Sequence, residues 1–121
     1  MNLAILTGKI TKIGELNHTP HGTPVINFTI ATHEKWVHPD GRTDGHTEYH
    51  DCQAWDTVAN MAMLMLDIGA EVRIKGNIRT STWTRNGERR TKKQIVVTRI
   101  DTLNVQRRDG DNIKKLKELF A

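Results

Sequence analysis

Residues 71–103 read EVRIKGNIRTSTWTRNGERRTKKQIVVTRIDTL, two long runs separated by Asn86-Gly87. That dipeptide is the strongest short-range hairpin signal, because both residues tolerate the positive φ that a type I′ turn demands. A two-residue turn there sets the register of everything around it. Arg85 faces Glu88, Trp83 faces Arg90, Ser81 faces Lys92 and Arg79 faces Gln94. Further from the turn the same register sets Ile78 against Ile95 and Gly76 against Val97, so apolar residues meet apolar residues. Val72, Ile74, Gly76 and Ile78 are then expected to point inward. Arg73, Lys75, Asn77, Arg79, Ser81 and Trp83 point outward, joined across the pair by Arg90 and Lys92.

The chain as a whole carries a net charge of +4. Residues 79–93 alone carry +5, from Arg79, Arg85, Arg89, Arg90, Lys92 and Lys93 against Glu88. One reading is a solvated basic hairpin in which Trp83 and a cation merely dress the surface. The other is a surface that grips a polyanion and stacks on its flat parts. An exposed Trp in a row of cations suits the second, since base–aromatic stacking contributes about 1–3 kcal/mol per base and tolerates any sequence. The eight cations placed to track phosphates are Arg73, Lys75, Arg79, Arg85, Arg89, Arg90, Lys92 and Lys93.

Composition agrees with a nucleic-acid partner. A length of 121 residues supports one domain with a short tail, and a pI near 9.5 favours an acidic ligand. Cys52 is the only cysteine, which rules out an internal disulfide and fits a reducing compartment. The opening MNLAILTGKI turns polar too soon for a signal peptide or a membrane helix, so a cytoplasmic protein without membrane association is expected.

Most of the chain reads as strands. LAILTGKITKI (3–13) is rich in aliphatic and β-branched residues, and VINFTIAT (25–32) alternates with Ile26, Phe28 and Ile30 on one face. HPDGRTDGH (38–46) reads as a polar loop, and EYHDCQAW (48–55) resumes with Cys52 and Ala54 inward and Tyr49, Asp51, Gln53 and Trp55 outward. One internal helix is expected over 56–67, capped by Asp56, ended by Gly69, and packed through Val58, Met61, Ala62 and Met65. Three strands, a helix and two strands make an all-β, five-stranded barrel with one helix between the third and fourth main strands, for which the OB-fold is the commonest architecture. The domain is expected over 1–105, with 106–121 a polar, basic tail ending in a short helix.

Four of the six aromatic residues, Trp36, Tyr49, Trp55 and Trp83, fall outside this core. For Trp36 strict alternation from Phe28 points inward, so a bulge or loop is required to expose it. His46, His50 and Cys52 lie close in sequence, but His46 reaches the strand face of the other two only from the loop, and no paired-cysteine motif is present; no metal is expected. No phosphate-cradling Gly loop, HExxH, nucleophile elbow or spaced carboxylate pair appears, so neither an enzyme nor a cofactor is expected.

These four aromatics, on LTGKI, INFTIATHEKW, TEYHDCQAWDTVA, IGAEVRIKGNIRTSTWT and IVVTRIDTL, resemble the bacterial single-stranded DNA-binding protein family over roughly residues 3–104. The resemblance implies an OB-fold that stacks single-stranded DNA on Trp36, Tyr49, Trp55 and Trp83, protecting it during replication, recombination or repair. Tyr49 stands where many members have Trp, and Trp55 where many have Phe. It also implies a homotetramer, or a dimer, with His50 near a subunit contact. Members usually end in an acidic tip that recruits replication and repair enzymes. IKKLKELFA has no acidic cluster, and recruitment by that route is not expected. The alternatives are a primosomal accessory OB-protein, which tends to lack the full aromatic set, and an OB module that binds only proteins.

Overall fold

The structure is a computed structural model that describes residues 1–103. The expected tail over 106–121 and its short helix lie outside the described residues. The elements are β1 (Ala4–Ile13), β2 (Asn17–His18), β3 (Pro24–Val37), β4 (Thr43–Trp55), α1 (Asp56–Met65), β5 (Glu71–Arg85) and β6 (Glu88–Thr102). The strands form one sheet in the order β1-β5-β6-β4-β3-β2, and a further pairing of β1 with β3 closes it. With β2 only two residues long, five strands make the barrel and α1 sits between the third and fourth of them, as expected. All ladders are antiparallel except β4 with β6, where Cys52, Gln53 and Ala54 run parallel to Ile95, Val96 and Val97.

Alternation builds the core. Ile26, Phe28 and Ile30 from β3, Cys52 and Ala54 from β4, Val72 and Ile74 from β5, and Ile95, Val97 and Ile100 from β6 are all buried. Closure needs β1 to pair with two neighbours at once. Gly8 makes this possible: it pairs with Val72, and a Cβ there would lie 2.4 Å from the carbonyl oxygen of Ala31 in β3. Among the described residues no helix is long and apolar enough to cross a membrane.

Several local expectations are corrected. Strand β4 begins at Thr43, so the loop shrinks to the turn around His38–Arg42, where the His38 N–H donates to the Arg42 carbonyl at 2.7 Å. Helix α1 buries Ala59 and Ala62, whereas Met61 is exposed and Val58 and Met65 are half-buried. Small side chains win on that face because they let the helix approach the barrel end. Asp56 does not cap α1: it is the first helical residue, has φ 56°, and no side chain bonds at the N-cap, which is Trp55. The helix gives way at Leu66, and Gly69 comes later, in the turn that returns to β5 with its N–H donating to the Ile10 carbonyl at 2.7 Å.

Candidate nucleic-acid interface

The β5–β6 hairpin has the register expected from its turn. Asn86 and Gly87 have φ of 52° and 79°, and the ladder pairs Arg85 with Glu88, Trp83 with Arg90, Ser81 with Lys92, Arg79 with Gln94, Ile78 with Ile95 and Gly76 with Val97. It shifts only between Lys75 and Gly76, where Lys75 pairs with Arg99. Barrel support ends near Gly76, the last β5 residue that β1 reaches, through Ala4. At about 3.3 Å per residue the nine residues from Gly76 to Arg85 carry the hairpin roughly 30 Å onward. This corrects one expectation: Ile78 is 48% exposed, although its partner Ile95 is buried beside β4. The Asn2 side chain takes the place of a missing strand at Ile78, donating to its carbonyl at 2.7 Å and accepting from its N–H at 2.9 Å.

Register divides the hairpin's cations between two faces. Arg79, Trp83 and Arg85 share a face with Arg90, Lys92 and Gln94, while Arg89 and Lys93 lie on the opposite face with Ile78 and Thr80. Arg73 and Lys75 sit at the far end of β5, opposite Asp101 and Arg99. Arg90 bonds the Glu88 carboxylate at 3.1 Å and Lys92 lies 3.5 Å from that of Asp51. Among the described residues Arg79, Arg85, Arg89 and Lys93 form no ion pair.

A second two-stranded ribbon is formed by β3 and β4, paired without interruption from Val25 opposite Trp55 to Val37 opposite Thr43. No bulge is needed to expose Trp36. It keeps the inward-facing phase of Ile30, but the ribbon has outrun the barrel, and the ring stays exposed. Trp36, Tyr49, Trp55 and Trp83 are 45%, 67%, 38% and 42% exposed, so all four stand outside the core. Tyr49 and Trp55 share the outer face of β4, whereas Trp36 is on the other face of the ribbon. Residues 32–50 hold Glu34, Asp40, Asp44 and Glu48 against Lys35 and Arg42, so this ribbon is acidic where the hairpin is basic.

The ribbon's histidines are individually partnered. His38 bonds Asp44 and His46 bonds Glu48, each at 2.6 Å; His33 bonds Thr47 at 2.9 Å and His50 bonds Thr32 at 2.8 Å. Cys52 is buried in the core, where burial, with the Asp51 carboxylate adding to it, pushes its thiol up to about 12. His46 lies within β4 rather than in a loop, in phase with His50 and Cys52 on one face, but Glu48 holds His46, Thr32 holds His50, and Cys52 lies in the core.

The parallel β4–β6 pair joins ribbon to hairpin and brings together polar residues that the sequence reading left unassigned. Asp51 accepts from the Thr29 hydroxyl at 3.2 Å on one oxygen and meets Lys92 on the other. Asn27 Oδ1 accepts from Gln53 Nε2 at 3.1 Å and from Gln94 Nε2 at 3.3 Å. Gln53 Oε1 in turn accepts from the indole Nε1 of Trp55 at 2.8 Å. Asn27 and Gln53 show in the sequence as outward-pointing polar residues. Their link to Gln94 does not, because no turn connects β4 to β6.

The model of the single-strand binding protein family matches residues 1–103. Single-stranded DNA-binding protein 1 of Chlorobaculum tepidum is 30% identical over 112 residues, covering 91% of this chain and 69% of that protein. A Plasmodium falciparum SSB solved in complex with ssDNA superposes with a TM-score of 0.74 at 20% identity, over 86% of this chain and 96% of that one. The single-stranded DNA binding protein from Thermus aquaticus, as a deletion mutant, also gives 0.74, at 22% identity over 88% of this chain. This chain spans about half, 52%, of the Thermus aquaticus one.

Proposed function

Because the chain belongs to the single-strand binding protein family, we propose that it binds single-stranded DNA without sequence preference, through base stacking on exposed aromatics and phosphate contacts from Lys and Arg. One observation carries the mechanism. Trp83 shares a face with Arg79, Arg85, Arg90 and Lys92, and the β4–β6 pair continues that face to Trp55 and Tyr49. Cations on this face draw in the phosphates and release counterions, after which bases stack on the rings. Trp36 extends the path over the other face of the ribbon, and Arg73, Lys75, Arg89 and Lys93 supply charge further out.

The role is to bind rather than to transform: the strand is held and protected during replication, recombination or repair. We place the protein in the cytoplasm as a homotetramer, a dimer being the smaller alternative. His50, half-buried and bonded to Thr32, is the residue we put near a subunit contact.

A fluorescence titration with oligo(dT) of graded length, at several salt concentrations, tests the proposal. Strong quenching of the tryptophans, affinity that falls with salt, and weak binding to duplex are expected. Little change in fluorescence would favour a protein-interaction module. Equal affinity for duplex and single strand would sink stacking.

A further inference from the structure

We propose that Gln53 is a positioning residue for Trp55, held in its own orientation by Asn27 and Gln94. This deepens the reading of Trp55 as a stacking platform and rests on it.

An indole N–H can only donate, so a Trp on a strand surface has its ring turned by wherever an acceptor stands. Trp55 ends β4 with extended backbone, and the next residue, Asp56, turns left-handed into α1. The ring lies back along its own strand, its indole N–H donating at 2.8 Å to Gln53, two residues back on the same face.

Gln53 is fixed from its other end. Its Nε2 donates to Asn27, directly opposite on β3, and Asn27 accepts at the same oxygen from Gln94 on β6. Each amide thereby has a set orientation: Gln53 must present its oxygen to the indole because its nitrogen is committed to Asn27. The relay crosses three strands and ends on a ring that is 38% exposed. A ring already held in place loses less freedom when a base stacks on it, and so retains more of the contact as affinity.

The test uses Gln53→Leu, which keeps the side-chain volume and removes both the acceptor and the donor, alone and combined with Trp55→Phe, which keeps a ring but has no N–H. With oligo(dT), Gln53→Leu should weaken binding roughly two- to tenfold, the equilibrium worth of one hydrogen bond. In the Trp55→Phe background it should change affinity little. Asn27→Ala, which frees Gln53 from the other side, should act in the same direction and less. A readout independent of DNA is the anisotropy decay of Trp55 in a chain carrying Trp36→Phe and Trp83→Phe. There Gln53→Leu should add a fast local motion of the indole. An equal loss of affinity in the Trp55 and Trp55→Phe backgrounds, or an unchanged decay, overturns the positioning role. Failure of the parent chain to bind oligo(dT) overturns the stacking reading itself.

Discussion

Lys92 Nζ stands 3.5 Å from Oδ2 of Asp51, so an ion pair ties the basic hairpin to the strand that carries Tyr49 and Trp55. Both side chains are about half exposed, and such a pair contributes at most about 1 kcal/mol to folding. Its consequence for binding is larger, because a carboxylate occupies the face assigned to phosphates and engages one of its cations. Asp51→Asn should therefore tighten oligo(dT) binding and steepen the fall of log affinity with log salt by roughly 0.7, one phosphate's share on a single strand. Titrations at four or so salt concentrations read both quantities. An unchanged slope would place Lys92 off the phosphate path.

Trp83 and Arg90 are direct partners in the β5–β6 ladder, yet their substitutions should have different signatures. Trp83→Ala removes a stacking surface and should weaken binding by about 1–3 kcal/mol with the salt dependence nearly unchanged. Arg90→Ala should instead make the salt slope shallower, by at most roughly 0.7 because Glu88 already engages the guanidinium at 3.1 Å. If the Trp83→Ala protein holds poly(dT) as tightly as its parent, the hairpin face has been misassigned.

The two faces of the hairpin supply their own control. Arg79 and Arg85 share the Trp83 face, whereas Arg89 and Lys93 project with Ile78 and Thr80 from the other, and none of the four is held in an ion pair among the described residues. Combining Arg89→Ala with Lys93→Ala removes as much charge as combining Arg79→Ala with Arg85→Ala. The first pair should reduce the salt slope less than the second, because only the second pair shares the ring's face. Equal reductions would mean that the hairpin is gripped on both sides.

What could be read from the chain was local. Asn86-Gly87 imposes positive φ on two adjacent residues, and that alone set six cross-strand pairs correctly, out to Gly76 and Val97. Ile78 shows where this kind of reading stops. Alternation says which face a residue occupies but not whether a barrel still lies behind that face, and by Ile78 strand β1 has ended. Trp36 is the same case on the other ribbon, where an unbroken ladder outlasts the core. On α1 periodicity found the packed side, but Ala59 rather than Met61 fills it, because closeness to the barrel decides there and not hydrophobicity. The Asn27–Gln53–Gln94 relay was beyond reach: it depends on the parallel β4–β6 pairing, which brings together residues about forty positions apart with no turn to announce them.

Gly76 sits where β5 and β6 shift register, and a Cβ there would come within 2.2 Å of the Val96 carbonyl oxygen and 3.0 Å of Val97 Cα. Both obstacles are backbone, so no side chain can rotate away. Gly→Ala in a strand ordinarily stabilises by about 0.4–1 kcal/mol through the unfolded chain. Here the clash should dominate, as overpacking of a fixed site costs about 1–3 kcal/mol. Gly76→Ala should lower the urea midpoint, and an equal or higher midpoint would show that the two strands can separate at the bulge without loss.

Cys52 links the core to alkaline stability. In the unfolded chain its thiol titrates near the ordinary value of 9.0, whereas in the folded protein burial, and secondarily the Asp51 carboxylate, raise it to about 12. Between those values the folded chain holds one more proton than the unfolded chain, so stability must fall as pH rises. The contribution of the neutral thiol is fully present below about pH 9 and is lost progressively toward pH 12, at about 1.4 kcal/mol per pH unit. Cys52→Ala lowers stability everywhere by opening a small void, but its stability should fall less steeply than the parent's above pH 9. Every other side chain is common to the two proteins and cancels from the comparison. Urea unfolding at a series of alkaline pH values measures the two slopes, and parallel curves would mean that the folded thiol ionises as readily as the unfolded one.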